Sequence, residues 1–265
     1  TLRRFMAVEQ GPLGAVIAEI RNGKGPTVMF EGHMDTVPPG DEAAWSVPPF
    51  SGEERQGYLW GRGAVDMKGA IAAQIAAAVA SRERVRGTLY LVYVPHEETA
   101  EGAVLDRVLE VIDVPDLVVL GEPSDLRLGI GHRGRTVIRL LARGKIAHAS
   151  MPQSGRNAIN LMVKQLPKAL SRELPSDPLL GSGTHTPTSI YTFTWGPVVP
   201  DRCVVEIDRR IVVGETRDSV LAAYKGLELE AAIAREELRS YTGETFTVEH
   251  FYPAWYFDPG EGFVQ

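Results

Sequence analysis

Gly32-His33-Met34-Asp35-Thr36-Val37-Pro38-Pro39 follows directly on the apolar run Val28-Met29-Phe30. An apolar strand that runs into polar side chains at a loop is how open α/β sheets build sites at the carboxyl ends of their strands. His33 offers an imidazole nitrogen to a divalent metal. In an extended segment Asp35 shares its face, where its carboxylate accepts a hydrogen bond from the distal ring nitrogen, fixing the tautomer and raising ligand basicity. The plainer reading is a surface histidine beside a turn-forming aspartate.

Three later stretches bear on that choice. Gly61-Arg62-Gly63-Ala64-Val65-Asp66-Met67-Lys68-Gly69 leads into Ala70 to Ala80, where Ile71, Ile75, Ala78 and Val79 recur at helical spacing. Asp66 therefore stands just before a helix, either as its N-cap or with its carboxylate in a cleft beside His33. Thr88 to Val94 is a near-continuous apolar run of the kind covered on both faces, and it ends in Pro95-His96-Glu97-Glu98. A helix over about Gly102 to Glu110 and a strand over Leu117 to Leu120 follow, the strand ending in Gly121-Glu122-Pro123. Adjacent side chains diverge, so one of Glu97 and Glu98 suits a metal while the other takes a proton from water. Read singly, Glu97 and Glu98 are a solvated pair and Glu122 a surface acid. Together they fall at equivalent ends of neighbouring strands.

Alternating strands and helices predict an α/β domain with a mostly parallel sheet. Upstream, Ala15 to Ile20 and Thr27 to Phe30 read as strands joined by the turn Asn22-Gly23-Lys24-Gly25-Pro26. Residues 38 to 60, rich in Pro, Gly and acids, read as a long loop that walls a pocket. After residue 133 the pattern changes. Thr136 to Leu141, Ser189 to Thr194, Cys203 to Val212 and Phe246 to His250 read as strands. Asn157 to Leu170 reads as a helix with Ile159, Met162, Val163 and Leu166 inward, and Ser219 to Leu238 as a long helix. Strands beside two helices predict an α+β module set into the first domain, at about residues 133–248, with residues 1–132 and 249–265 forming the first. Residues 175 to 187 read as a loop of that module.

The 265 residues allow one or two domains with a sizeable core. Lys plus Arg number 28 against 34 Asp plus Glu, so the sequence shows no basic footprint for nucleic acid and a small substrate is expected. The lone cysteine, Cys203, excludes an intrachain disulfide framework and a multi-cysteine zinc site. No run of 18 apolar residues and no signal peptide is visible, so the expectation is a cytoplasmic protein without a membrane partner. No Gly-x-Ser-x-Gly elbow surrounds Ser124. The start at Thr1 without methionine and the end at Gln265 suggest a chain shortened at both ends.

In order and spacing, Gly32 to Pro38, Gly61 to Gly69, His96-Glu97-Glu98, Gly121-Glu122-Pro123 and Gly144-Lys145-Ile146-Ala147-His148-Ala149-Ser150-x-Pro152 resemble the M20 metallopeptidase family. Its members include acetylornithine deacetylase, succinyl-diaminopimelate desuccinylase, aminoacylase and carboxypeptidases. The resemblance implies a zinc-hydrolase catalytic domain carrying an inserted lid and dimerisation domain. It implies two divalent ions, with zinc first and cobalt or manganese compatible. Asp66 then resembles the bridging carboxylate, His33 and Glu122 ligands of one ion, and Glu98 a ligand of the other. Glu97 resembles the general base and Asp35 the carboxylate behind His33. His148 resembles a lid histidine that reaches across a homodimer to stabilise the oxyanion; without the resemblance it reads as a polar residue near a helix start. Arg210, in Asp208-Arg209-Arg210, resembles the arginine that meets a substrate carboxylate, and otherwise reads as a surface salt bridge.

The chain departs from the family pattern in places. Pro197 stands where the family often has an asparagine. The family's final histidine ligand lies near the carboxyl terminus of chains of about 400 residues, and His132, His185 and His250 lie outside its motif. Either the native protein is longer or the second metal site is incomplete. The implied activity is hydrolysis of an N-acyl amide or peptide bond in a small carboxylate-bearing substrate, of deacylase or desuccinylase type. Carboxypeptidase or dipeptidase action, or an inactive homologue with a structural role, are the alternatives.

Overall fold

A computed structural model of the chain describes residues 7–262, which form two compact units. One comprises the residues up to Arg127 together with Glu237–Phe246; the other comprises Leu128–Glu236 and the residues from Thr247 onward.

The first unit is built on a five-stranded sheet of β1 (Ala7–Gln10), β2 (Val16–Asn22), β3 (Thr27–His33), β4 (Gly87–Val94) and β5 (Leu117–Leu120). Their spatial order is β1-β2-β4-β3-β5. Every residue of β4 is buried, which accounts for its unbroken apolar run and for its central place. The turn at residues 23–26 joins β2 and β3 without pairing them, because β4 lies between, antiparallel to β2 and parallel to β3. With β3 and β5 also parallel and β1 and β2 antiparallel, the sheet is mixed rather than mostly parallel.

On one face α1 (Gly69–Ser81) lays Ile71, Ile75, Ala78 and Val79 against Ala18, Leu89 and Leu91, as their helical spacing predicts. At about 20 Å, α1 is shorter than the roughly 30 Å hydrocarbon core of a bilayer. On the other face α2 (Ala103–Leu109) buries Val104 and Val108 against Met29, Tyr90 and Val92. The returning segment is held there too: Ser240 Oγ donates to the Leu13 carbonyl and the Tyr241 hydroxyl to that of Gly14. The stretch 38–60 carries a short hairpin, Glu53–Arg55 with Tyr58–Trp60.

The second unit holds an antiparallel sheet of β6 (Gly134–Arg143), β7 (Thr184–Thr192), β8 (Arg202–Ile211) and β9 (Glu230–Ile233), in the order β7-β8-β6-β9. Phe251–Tyr252 also pairs with β6. Alternate residues of β6 are buried from end to end, the pattern of a sheet with one covered face. The cover includes α3 (Ala158–Leu170), whose N-cap Asn157 accepts from the amides of Ile159 and Asn160.

Three sequence expectations fail in this unit, the first being the loop over residues 175 to 187, which holds the short pair Ser176–Asp177 with Gly181–Ser182 and the start of β7. Leu161, Met162, Gln165 and Ala169 face inward, whereas Ile159 and Val163 are exposed, so the apolar stripe is rotated from the predicted one. The long helix over Ser219 to Leu238 is absent: α4 (Arg217–Ala222) ends early, and Gly226 at φ 81° reverses the chain into β9. Leu227, Leu229, Ala231 and Ile233 then pack against the core with period two, and β6 supplies the backbone hydrogen bonds that make the strand the better choice.

Candidate metal centre

The parallel register brings the site together. His33 lies opposite Val94 and Glu31 opposite Leu120, so β3, β4 and β5 end at one edge of the sheet and the loops carrying Asp35, Glu97, Glu98 and Glu122 start there. Asp66 arrives from the turn before α1. It is not the N-cap: Lys68 holds that position without a side-chain cap, and the Asp66 carboxylate turns to His33. Met67 is fully buried, and its sulfur accepts the backbone N–H of His33, tying the Asp66 turn to the end of β3.

His33 is 1% exposed and both its ring nitrogens face acceptors. Nδ1 is 3.0 Å from the backbone carbonyl of Asp35, and Nε2 is 2.8 Å from Asp66 Oδ1, with Glu122 Oε1 at 3.9 Å. Burial disfavours the imidazolium, yet the Asp66 hydrogen bond and the charges of Glu122 and Glu97 outweigh it and raise the His33 pKa.

The Asp35 carboxylate has a different job from the one read in the sequence. It stands 3.7 Å from His33 Nδ1 and instead accepts the backbone N–H groups of Glu97 and Glu98, at 3.1 and 3.2 Å. It is the backbone carbonyl of Asp35 that orients the imidazole. The carboxylate holds the helical turn Glu97–Ala100, whose first residues are the paired glutamates.

Glu31, absent from the sequence reading, joins the acids. It is 4% exposed, and burial together with the charges of Glu122 and Glu97 pushes its carboxyl up to about 7. Burial also pushes Glu97 up to about 7, against the opposing effect of His33. Burial raises Glu122 as well. The signal for Glu31 was its place two residues before His33, on the same face of a strand.

His33, Glu97 and Glu122 present ligand atoms within 4.8 Å of one another, and so do His33, Asp66 and Glu98. Oxygen-rich sets around one imidazole match hard to borderline divalent ions. The hydrogen bonding gives an independent test. A neutral His33 that donates from Nδ1 turns its Nε2 lone pair onto Asp66 Oδ1, a contact that a proton on either group or a cation bound between the pair makes favourable. The residues present therefore fit a divalent metal.

His148 and Arg210 lie in the second unit. His148 Nδ1 is 2.8 Å from Ser150 Oγ, and Arg210 donates from Nε to Asp208 Oδ1. His185 sits against the Leu170 carbonyl, and His250 lies near Glu236 and Tyr252; neither belongs to a ligand group among the described residues.

The sequence pattern of Peptidase family M20/M25/M40 matches residues 29–260. An uncharacterized protein, YgeY, of Escherichia coli (strain K12) is 32% identical, over 95% of this chain and 65% of its own length. Succinyl-diaminopimelate desuccinylase of Paracoccus denitrificans (strain Pd 1222) is 35% identical, over 73% of this chain and 54% of its own. The chain thus spans less than two thirds of these relatives. An M20 family metallo-carboxypeptidase from Sulfolobus solfataricus shares the fold with a TM-score of 0.70 at 18% identity, over 99% of this chain and 74% of that one.

Proposed function

The chain belongs to peptidase family M20/M25/M40, and from that premise we propose that it is the greater part of a metal-dependent hydrolase that cleaves an N-acyl amide or peptide bond in a small carboxylate-bearing substrate. The observation that carries the reading is a buried His33 with both ring nitrogens on acceptors amid Asp66, Glu97, Glu98 and Glu122, a negative cluster at the rim of a cleft that a dication neutralises. Residues His33, Asp66, Glu98 and Glu122 would hold two divalent ions, zinc first, with Asp66 between them. When bound, such ions acidify water and polarise a carbonyl.

The chain's own residues supply the rest. Glu97, with its pKa raised by burial to about 7, suits the general base that takes a proton from the attacking water and returns it to the leaving amine. Asp35 positions Glu97 and Glu98 through their amides. His148 and Arg210 enter through the motif resemblance: His148 to support the oxyanion across a homodimer formed by the lid, and Arg210 to hold a substrate carboxylate. We place the enzyme in the cytoplasm.

Turnover of N-acetyl and N-succinyl amino acids and dipeptides is the direct test, with zinc content measured on the same samples. Glu97→Gln is expected to keep its zinc and lose about 10²–10⁴-fold in turnover; activity near wild type would sink the role of Glu97. Preference within the panel separates deacylase from peptidase action. Zinc binding without any hydrolysis would favour an inactive homologue. Sedimentation showing only monomer at assay concentration removes the cross-subunit role of His148.

A further inference from the structure

Beside the metal-site acids lies a cavity of about 240 Å³, walled by Val37 and Val65, with Asp66 and Glu98 on its lining and Arg62 beside them. Arg62 is half-buried, and its guanidinium carbon stands 5.1 Å from the centre of the Trp45 ring. Among the described residues its side chain has no hydrogen-bond or ion-pair partner, and Nε is shut off from solvent without an acceptor. Asp66 and Glu98 share the cavity lining, yet neither forms an ion pair with Arg62. A guanidinium held over an indole face by cation–π attraction keeps its fork of donors uncommitted. A buried donor without an acceptor is costly, and a carboxylate meets such a fork with two parallel hydrogen bonds.

We propose that this cavity is a carboxylate subsite and that Arg62 is a specificity-determining residue. It recognises a carboxylate joined by a short aliphatic stem to the amide group presented at Asp66 and Glu98. The orientation follows from the lining: acids at the amide end, Val37 and Val65 along the stem, and Arg62 for the anionic tip. The carboxylate belongs either to the acyl side of the amide, as in a dicarboxylic monoamide, or to the amine side, as in an N-acyl amino acid. The proposal rests on the hydrolase reading for what stands at the acids, but its test does not depend on turnover.

The probes are succinamate, with its carboxylate on the acyl side, N-acetylglycine, with its carboxylate on the amine side, and butyramide, which has none. Binding is measured calorimetrically on the full chain, metal-free and zinc-equilibrated. Wild type is expected to bind one carboxylate probe at least tenfold more tightly than butyramide. Arg62→Gln is expected to lose about that factor for the same probe and leave butyramide unchanged, while Arg62→Lys recovers part of it. The probe that responds names the side. Val37→Asp, at an exposed wall position, is expected to weaken the same probe by like-charge repulsion and serves if Arg62→Gln fails to fold, as judged by circular dichroism. Equal affinity of wild type for all three probes, or unchanged affinity in a folded Arg62→Gln, overturns the subsite. Absence of any hydrolysis with the Arg62 dependence intact overturns the hydrolase reading and leaves the subsite standing.

Discussion

Glu31 and Glu97 keep their protons to about pH 7 in the folded chain, against an ordinary value of 4.5. Between those values the folded state binds more protons than the unfolded one, so the stability of the metal-free protein falls as pH rises. His33 acts in the same direction at higher pH: its raised folded pKa contributes stability below its ordinary 6.5 that is lost as pH climbs through the folded value. Thermal unfolding of chelator-treated protein is therefore expected to show a midpoint that drops between about pH 5 and pH 8, and zinc to flatten the drop. Glu31→Gln removes one buried charge and is expected to stabilise the metal-free protein at pH 8 by on the order of 2 kcal/mol; a midpoint unchanged or lowered there contradicts this account. Asp35 offers a second residue-level test. Asn in its place keeps one acceptor for two amides and turns an NH₂ toward the other. Zinc affinity by chelator competition is expected to fall about 10–100-fold, the range for residues that orient ligands.

At the scale of elements, the second unit shows what apolar spacing does and does not settle. Asn157 and the run after it mark a helix, and Asn157→Ala is expected to cost about 1 kcal/mol in denaturant unfolding. Which stripe of α3 faces in was not legible, because Ile159, Leu161, Met162 and Val163 are all apolar and the packing of β6 and β8 selects among them. From Ser219 onward helical and alternating patterns overlap; the helix stops at Ala222, and Gly226 with its positive φ lies in the turn that follows. Arg209 in β8 is 1% exposed, paired with Glu215 and donating to the Val220 carbonyl, so it ties the strand to α4. Glu215→Ala leaves that guanidinium buried without its partner and is expected to cost about 3–5 kcal/mol, read from the same unfolding curves.

On the scale of the whole molecule, all six clustered site residues, His33, Asp35, Asp66, Glu97, Glu98 and Glu122, belong to the first unit. Ligand binding raises the stability of the unit that holds the site. Calorimetry is expected to show zinc moving the transition of the first unit upward and leaving a transition of the second unit in place. A single transition that shifts as a whole would show the two units unfolding together.

The sequence by itself determined where the site residues sit, because an apolar run that ends in His or Glu reads as a strand entering a loop and needs no knowledge of its neighbours. It also determined that those runs lie at one edge of a sheet. The tertiary structure alone decided the pairing order, which placed β4 between β2 and β3 and left the sheet mixed, since strand neighbours are chosen by burial of long-range faces. It alone recruited Glu31, gave the Asp35 carboxylate to the Glu97–Glu98 amides rather than to His33, and left Arg62 over the Trp45 ring without an anion. Those outcomes depend on distances between segments far apart in the chain, and spacing along a strand does not encode them.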